Sequence, residues 1–365
     1  MKSNDFFCFN PPKSVQSLPI SFLWRRDLIN YDSHPAYADL VRQAGVVQRA
    51  VSLMFWLSRF VILLAKRIVR YEMIPSDIRN GRSLTDRARF MGLAVANVVR
   101  DRRRRAVVEP NAISTALAGR GVAVVAMSST WRDALACAAR PHFDALAISR
   151  GQRVNRREFD ESRATATRVS SPELYELIES IFTESGLFAA ASAYKERHLR
   201  LIDVNPQIND PSDSFWRDIF EDMGSQSLPR TAYCHRDSSG GDVKVIIYMS
   251  DVDGRTGAFS YAVGSNMAKI SLLDDLICEA NDHNGMSATE LDARRKFAAL
   301  PVPLRQKGSF GNDLDDQTQE SQLISDSLWE IAGPSGLMVA FDTKGIHRGG
   351  MVIEGERRVL TCVLG

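Results

Sequence analysis

The chain has 365 residues, 44% apolar and 25% charged, with 23 Gly and 14 Pro, an ordinary globular composition that excludes collagen-like, low-complexity and disordered chains. Five cysteines (Cys8, Cys137, Cys234, Cys278, Cys362) are scattered without a CxxC pair, so a zinc ribbon or disulfide framework is not expected and a reducing, cytoplasmic compartment is. The net charge of +2 hides an asymmetry: residues 1–108 carry 19 Lys+Arg against 8 Asp+Glu, and the remainder 27 against 36. A basic N-terminal third on an acidic body points to an anionic surface as partner.

Met1 to Lys13 lacks an apolar h-region, so no secretory signal is expected. Residues 1–108 read as a mostly helical region, with apolar residues at helical spacing through 36–72 and 84–100. Ser83-Leu-Thr-Asp86 offers an N-cap for the second stretch. The most apolar segment is 46–69. Arg59 divides its uncharged runs Ala50–Ser58 and Phe60–Ala65, whereas a spanning helix wants about 18 or more uncharged residues, so spanning is not expected. As a helix it places Ser52, Arg59 and Lys66 on one stripe. Two readings stay open: peripheral contact with a membrane interface, Lys and Arg reaching headgroups, or a core or subunit-interface helix showing a polar seam. The run Arg102–Arg105 is either a phosphate contact or a solvated linker. No aromatic residues interleave with it, and no nucleic-acid partner is expected.

Glu109-Pro110-Asn111 breaks the helical pattern and sets a boundary, with a second domain over 109–365. Strands are expected at 121–126, 198–204, 243–249, 259–263 and 337–341, and a helix at 170–192. Residues 351–353 and 357–364 read as a hairpin turning at Glu354-Gly355. Between them, 265–330 is a polar insertion with one or two helices, long enough for a lid. Its Arg294, Arg295, Arg305 and Lys307 either meet an anionic group or are solvated. The sum is an α+β chain with a β-rich core and helices around it.

The chemistry concentrates in Tyr233-Cys-His-Arg-Asp237. His235 and Asp237 are two apart, so on an extended segment they share a face. His347 follows a strand and the turn Asp342-Thr-Lys-Gly345 and can complete the set. Two histidines and one carboxylate with open positions suit a non-haem Fe(II) oxygenase.

The ordered pieces His235-Arg-Asp237, Lys244-Val-Ile-Ile-Tyr-Met-Ser-Asp-Val-Asp253, Gly257-Ala-Phe259, Val263-Gly-Ser-Asn266, Phe341-Asp342, His347-Arg-Gly-Gly350 and Arg357-Arg358 resemble the phytanoyl-CoA dioxygenase-like family of Fe(II)/2-oxoglutarate-dependent oxygenases. The resemblance covers 110–365 and leaves 1–108 unexplained. It implies a double-stranded β-helix (jelly-roll, cupin-like) core and iron ligands at His235, Asp237 and His347. It also implies an arginine on the distal carboxylate of 2-oxoglutarate, a match for the planar guanidinium fork. Arg358 is favoured, lying eleven residues after His347 and facing Met351 in the expected hairpin. Arg357 stays open, because relatives often use the first arginine of such a doublet. Lys244 and Tyr248 share a parity and could both face the pocket. Val263 and Asn266 stand where the family often has Pro and His, which touches the pocket rim and not the iron ligands. Members that halogenate typically have Gly or Ala in place of Asp237, so the resemblance implies hydroxylation or a related oxidation, with dioxygen consumed and succinate and CO2 released. A small-molecule, lipid or glycan-type substrate fits. The rival reading is a non-catalytic β-helix binding or scaffold protein held at a membrane by its basic N-terminal region.

Overall fold

The computed structural model describes residues 6–19, 32, 37–100, 109–151, 163–211, 230–231, 234–237, 243–267, 273, 276–277, 280, 291–305 and 318–365. Arg102–Arg105, Tyr233, Cys278, Lys307 and the Arg294 side chain lie outside the described residues.

In chain order the elements are β1 (Phe6–Phe9), α1 (Ala38–Gln43), α2 (Val46–Ile68), α3 (Ser76–Asn80), α4 (Leu84–Arg100), α5 (Ala112–Arg120), β2 (Val122–Met127), α6 (Ser129–Gly151), α7 (Pro172–Glu184), α8 (Leu187–Tyr194), β3 (Leu201–Asn209), β4 (Val243–Tyr248), β5 (Phe259–Ala262), α9 (Leu291–Ala298), α10 (Val302–Arg305), α11 (Gln319–Ser327), β6 (Leu328–Ile331), β7 (Leu337–Asp342), β8 (His347–Arg348) and β9 (Arg357–Leu364). The strands form a six-stranded sheet, ordered β1-β2-β7-β4-β9-β3, and a three-stranded sheet, ordered β6-β5-β8. Every pairing is antiparallel. The fold is therefore a mixed one of helices and antiparallel sheets.

Strand parity divides the larger sheet into two faces. Ala123, Val125, Val245, Ile247, Ala340 and Leu360 point to the helical layer and pack with Leu117, Ile178 and Phe182. Their neighbours Val124, Tyr248, Val339, Phe341 and Val359 point the other way, into a core shared with Phe259, Tyr261, Trp329 and Ile331 of the smaller sheet. The space between the sheets is thus built by alternate residues of strands whose other residues anchor the helices.

Two helices of that layer, α5 and α6, were not expected. Both carry readable signals. Asn111 caps α5 through a reciprocal box with Ser114, and Gly121 ends it at φ 79°. Leu135, Ala139, Phe143 and Leu146 recur on one face of α6 and are all buried. The cap expected at Ser83 is present, its Oγ accepting the Asp86 N–H at 3.0 Å. Strand β3 runs through Pro206 to Asn209, beyond the expected 198–204. It is the last strand of the sheet, and Pro206 turns its backbone outward, its carbonyl accepting the Ala164 N–H at 2.9 Å, so the missing N–H falls outside the ladder with β9.

The region expected to be helical also supplies a strand. Phe6–Phe9 pairs with β2, Phe6 opposite Met127 and Cys8 opposite Val125. A third core joins Tyr37, Trp56 and Leu63 to Phe297, Leu300 and Ile324, on the outer side of the smaller sheet where Ala262 and Ile346 project. The N-terminal helices and the insertion therefore pack on each other, and a boundary near 108 does not separate them from the sheets. Arg305 is buried, donating to the carbonyls of Ala298 and Leu300 and pairing with Asp32. It is a structural staple and does not await an anion.

Candidate metal centre

His347 occupies the two-residue β8 and is held from both sides. Tyr261 of β5 pairs with it on one edge. On the other, His235 exchanges both backbone hydrogen bonds with it, each 2.9 Å. Two residues on, the Asp237 N–H donates to the Thr343 carbonyl at 2.9 Å. These bonds bring the early pair and the late histidine together. His235 Nε2 lies 3.7 Å from Asp237 Oδ1, and His347 Nε2 lies 3.6 Å from Asp237 Oδ2. One ligand atom from each of the three falls within 4.8 Å of the others, and they form the metal-competent cluster among the described residues.

The donor set fits a metal. His347 Nδ1 lies 2.9 Å from the Gly345 carbonyl, which calls for a proton on Nδ1 and leaves the Nε2 lone pair toward Asp237. Burial pushes the Asp237 carboxyl up, but the Lys244 ammonium beside it overcomes this and holds it well below the usual carboxylate range. Lys244 Nζ lies 2.7 Å from Asp237 Oδ2. The result is an ionised carboxylate and two imidazoles with few other protein donors, an open-sided set.

The cluster opens on a cavity of about 320 Å³ between the sheets, at the small end of ligand sites. Lys244, Ile246 and Tyr248 of β4 all line it, as their shared parity requires. The Tyr248 hydroxyl is fully engaged, donating to the Ile331 carbonyl at 2.7 Å and accepting the Phe259 N–H at 3.1 Å. Burial pushes its pKa up to about 12. It is a strut between the sheets with no hydroxyl to spare.

The arginine doublet comes out opposite to the preferred reading. Arg357 lines the cavity and is buried, its guanidinium donating to the Gly257 carbonyl and, at 3.0 Å, to Asn209 Oδ1. Arg358 points to the other face and pairs with Glu356 at 2.5 Å. The expected hairpin does not form. β9 is already paired on both edges, with β4 and β3, so residues 351–353 have no strand to join. They cross instead against the turn that leads into β5, where the Ile353 N–H donates to the Arg255 carbonyl at 2.7 Å. Gly350 permits that crossing: a Cβ there would lie 2.3 Å from the Ala258 carbonyl oxygen.

Sequence reading missed Asn209 and Gln207, which line the cavity from β3 opposite Arg357 and Val359. The alternation of Asn205, Gln207 and Asn209 was the available signal. It also missed a buried brace behind the site. Asp342 accepts from the Tyr194 hydroxyl at 2.5 Å and pairs with Lys195 at 3.0 Å. Asn266 donates to the Tyr194 oxygen at 3.0 Å. This brace holds the turn 342–345, whose Thr343 and Gly345 carbonyls receive Asp237 and His347. Asn266 thus serves the brace, and neither it nor any other described residue of 265–330 lines the cavity. The lid expected there is not seen among the described residues.

No protein-family model and no curated protein matches the chain. Solved structures are similar to it at a distance. AviO1 from Streptomyces viridochromogenes Tue57 is 15% identical over 71% of this chain and 96% of that one, with a TM-score of 0.39. The non-heme alpha ketoglutarate dependent carbocyclase SnoK from nogalamycin biosynthesis is 12% identical over 70% and 83%, with a TM-score of 0.40. HygX from Streptomyces hygroscopicus, solved with nickel and 2-oxoglutarate bound, is 15% identical over 71% and 87%, with a TM-score of 0.40. These likenesses are remote, and the chemistry of the site rests on its own residues.

Proposed function

We propose that the chain is an Fe(II)- and 2-oxoglutarate-dependent dioxygenase of the phytanoyl-CoA dioxygenase-like kind, built on a double-stranded β-helix, that hydroxylates an aliphatic C–H of a small-molecule, lipid or glycan-type substrate. The observation that carries this is the convergence of His235, Asp237 and His347 on a cavity that also holds a buried arginine. The three residues would hold the iron. Arg357 would take the distal carboxylate of 2-oxoglutarate, its fork oriented by Asn209 and the Gly257 carbonyl. When bound, iron and 2-oxoglutarate supply the oxidising chemistry, coupling loss of CO2 from the keto acid to transfer of one dioxygen atom to substrate.

The chain's own part is to position and to shield. Phe259, Phe341, Ile246 and Val359 wall the cavity with apolar surface, which limits water beside the metal. Lys244 keeps Asp237 ionised and ready to bind. The hydrogen bond that the His347 Nδ1–H donates to the Gly345 carbonyl keeps the ring oriented.

The test is anaerobic addition of Fe(II) and 2-oxoglutarate, watching for the visible iron-to-keto-acid band, with His235→Ala as control. A band lost in the variant is expected. No band in folded wild-type protein would overturn the reading.

A further inference from the structure

We infer that the outward face of α2 docks on an anionic lipid surface, the helix lying in the headgroup layer. One side of α2 belongs to the protein: Ser52, Trp56 and Leu63 are buried against the third core. The opposite half-turn, at about 100° per residue, carries no charged residue over the whole of Val46–Ile68. Val47 is 77% exposed, Met54 68%, and Val51 and Val61 61% each. The helix has 23 residues, so this face runs about 35 Å, longer than the isolated apolar contacts a soluble surface ordinarily shows.

Charge selects the occupant. α2 contains four basic residues, Arg49, Arg59, Lys66 and Arg67, and no acidic one. All four lie on the packed half or at its margin. Arg59 sits 5.9 Å from the Phe55 ring, and Lys296 reaches from α9 to 5.5 Å from the same ring. An apolar face bordered by cations is what a bilayer with anionic headgroups accepts: apolar side chains enter the acyl boundary and Lys and Arg meet phosphates. A second strip agrees with this. On α4, Leu84, Met91, Val95 and Val98 are exposed, and the helical wheel sets them between Arg87 and Arg89. Pairing with a second copy would bring two basic thirds together, each with 19 cationic against 8 anionic residues, and like charge opposes it. By length and composition α2 could span a bilayer. Crossing would pull Trp56 and Leu63 out of the core they share with Phe297 and Ile324.

The full chain is sedimented with vesicles of phosphatidylcholine alone and with phosphatidylserine added, at low and high salt. The comparison variant combines Val51→Ser, Met54→Ser, Val61→Ser and Ile62→Ser, all at exposed positions, with its fold verified by circular dichroism. Binding is expected with phosphatidylserine, weakened by salt and reduced about tenfold or more in the variant. Equal binding by the variant, or no binding, overturns the proposal. So does a lipid-free dimer that the variant dissociates, which would assign the face to a second copy. Protein that resists alkaline extraction would assign α2 to a span.

Discussion

Between the sheets, Lys244, Asp237, His347 and Arg357 are charged or ionisable groups enclosed by apolar walls. On α2, Val47, Val51, Met54 and Val61 are apolar groups held in the open. The first region inverts the usual pattern and satisfies it from within, because its named groups have partners: Asp237 has Lys244, Arg357 has Asn209 and Gly257, and His347 has Gly345. The second inverts the pattern and is not covered by any described part of the chain. An enclosed polar cluster speaks of a small ligand, and an uncovered apolar face speaks of a large partner.

The sharpest way to break the comparison is to empty the cluster. His235→Ala keeps the backbone bridge to His347, so the fold should stand, and Fe(II) binding and turnover should fall by more than about 100-fold. Metal content and circular dichroism, measured on the same sample, separate the two effects. Next is the arginine pair. Arg357→Ala should raise the KM for 2-oxoglutarate by about 10- to 100-fold, on a charge-assisted contact worth ~1.5–3 kcal/mol. Arg358→Ala, on the opposite face, should leave it unchanged. Equal effects would dissolve the distinction between the two faces of β9.

Gly350→Ala drives a Cβ to within 2.3 Å of a carbonyl oxygen and should cost about 1–3 kcal/mol, read as a lower denaturant midpoint. An effect of similar size is expected at Tyr248. Its pKa is about 12 in the fold against 10.0 for an ordinary tyrosine, so the unfolded chain loses the proton first. The associated stability is fully present below pH 10.0 and is lost as pH rises through about 12. Tyr248→Phe should lower stability at neutral pH by about 1–3 kcal/mol, because two backbone groups lose their partner. It should also flatten the alkaline decline, as chemical denaturation across that range would show.

Much of the site was legible because it is local. His235 and Asp237 share a short extended segment, and Lys244 and Tyr248 share strand parity, a period-2 property that tertiary context does not change. The register of the arginines was illegible because it depends on the strands that flank β9. Glu354-Gly355 has the residue types of a tight hairpin turn, but β3 and β4 occupy both edges of β9 and leave residues 351–353 no edge to pair with. The brace of Tyr194, Lys195, Asn266 and Asp342 joins residues up to 148 positions apart, a separation no local pattern reports. The edge strand Phe6–Phe9 was hidden for the same reason: its partner β2 lies beyond the whole helical region.

By itself the sequence determined which two histidines and which carboxylate could share a metal, and the alternation of the strands, since residue type and short-range periodicity carry both. It also determined that α2 would carry its charges on one half and leave the other uncharged. Only the tertiary structure decided which arginine enters the cavity and which half of α2 is packed, because each follows from what lies beside the element in space. Burial against Phe297 and Ile324 took one side of α2 into the core, and the uncharged side was left facing outward.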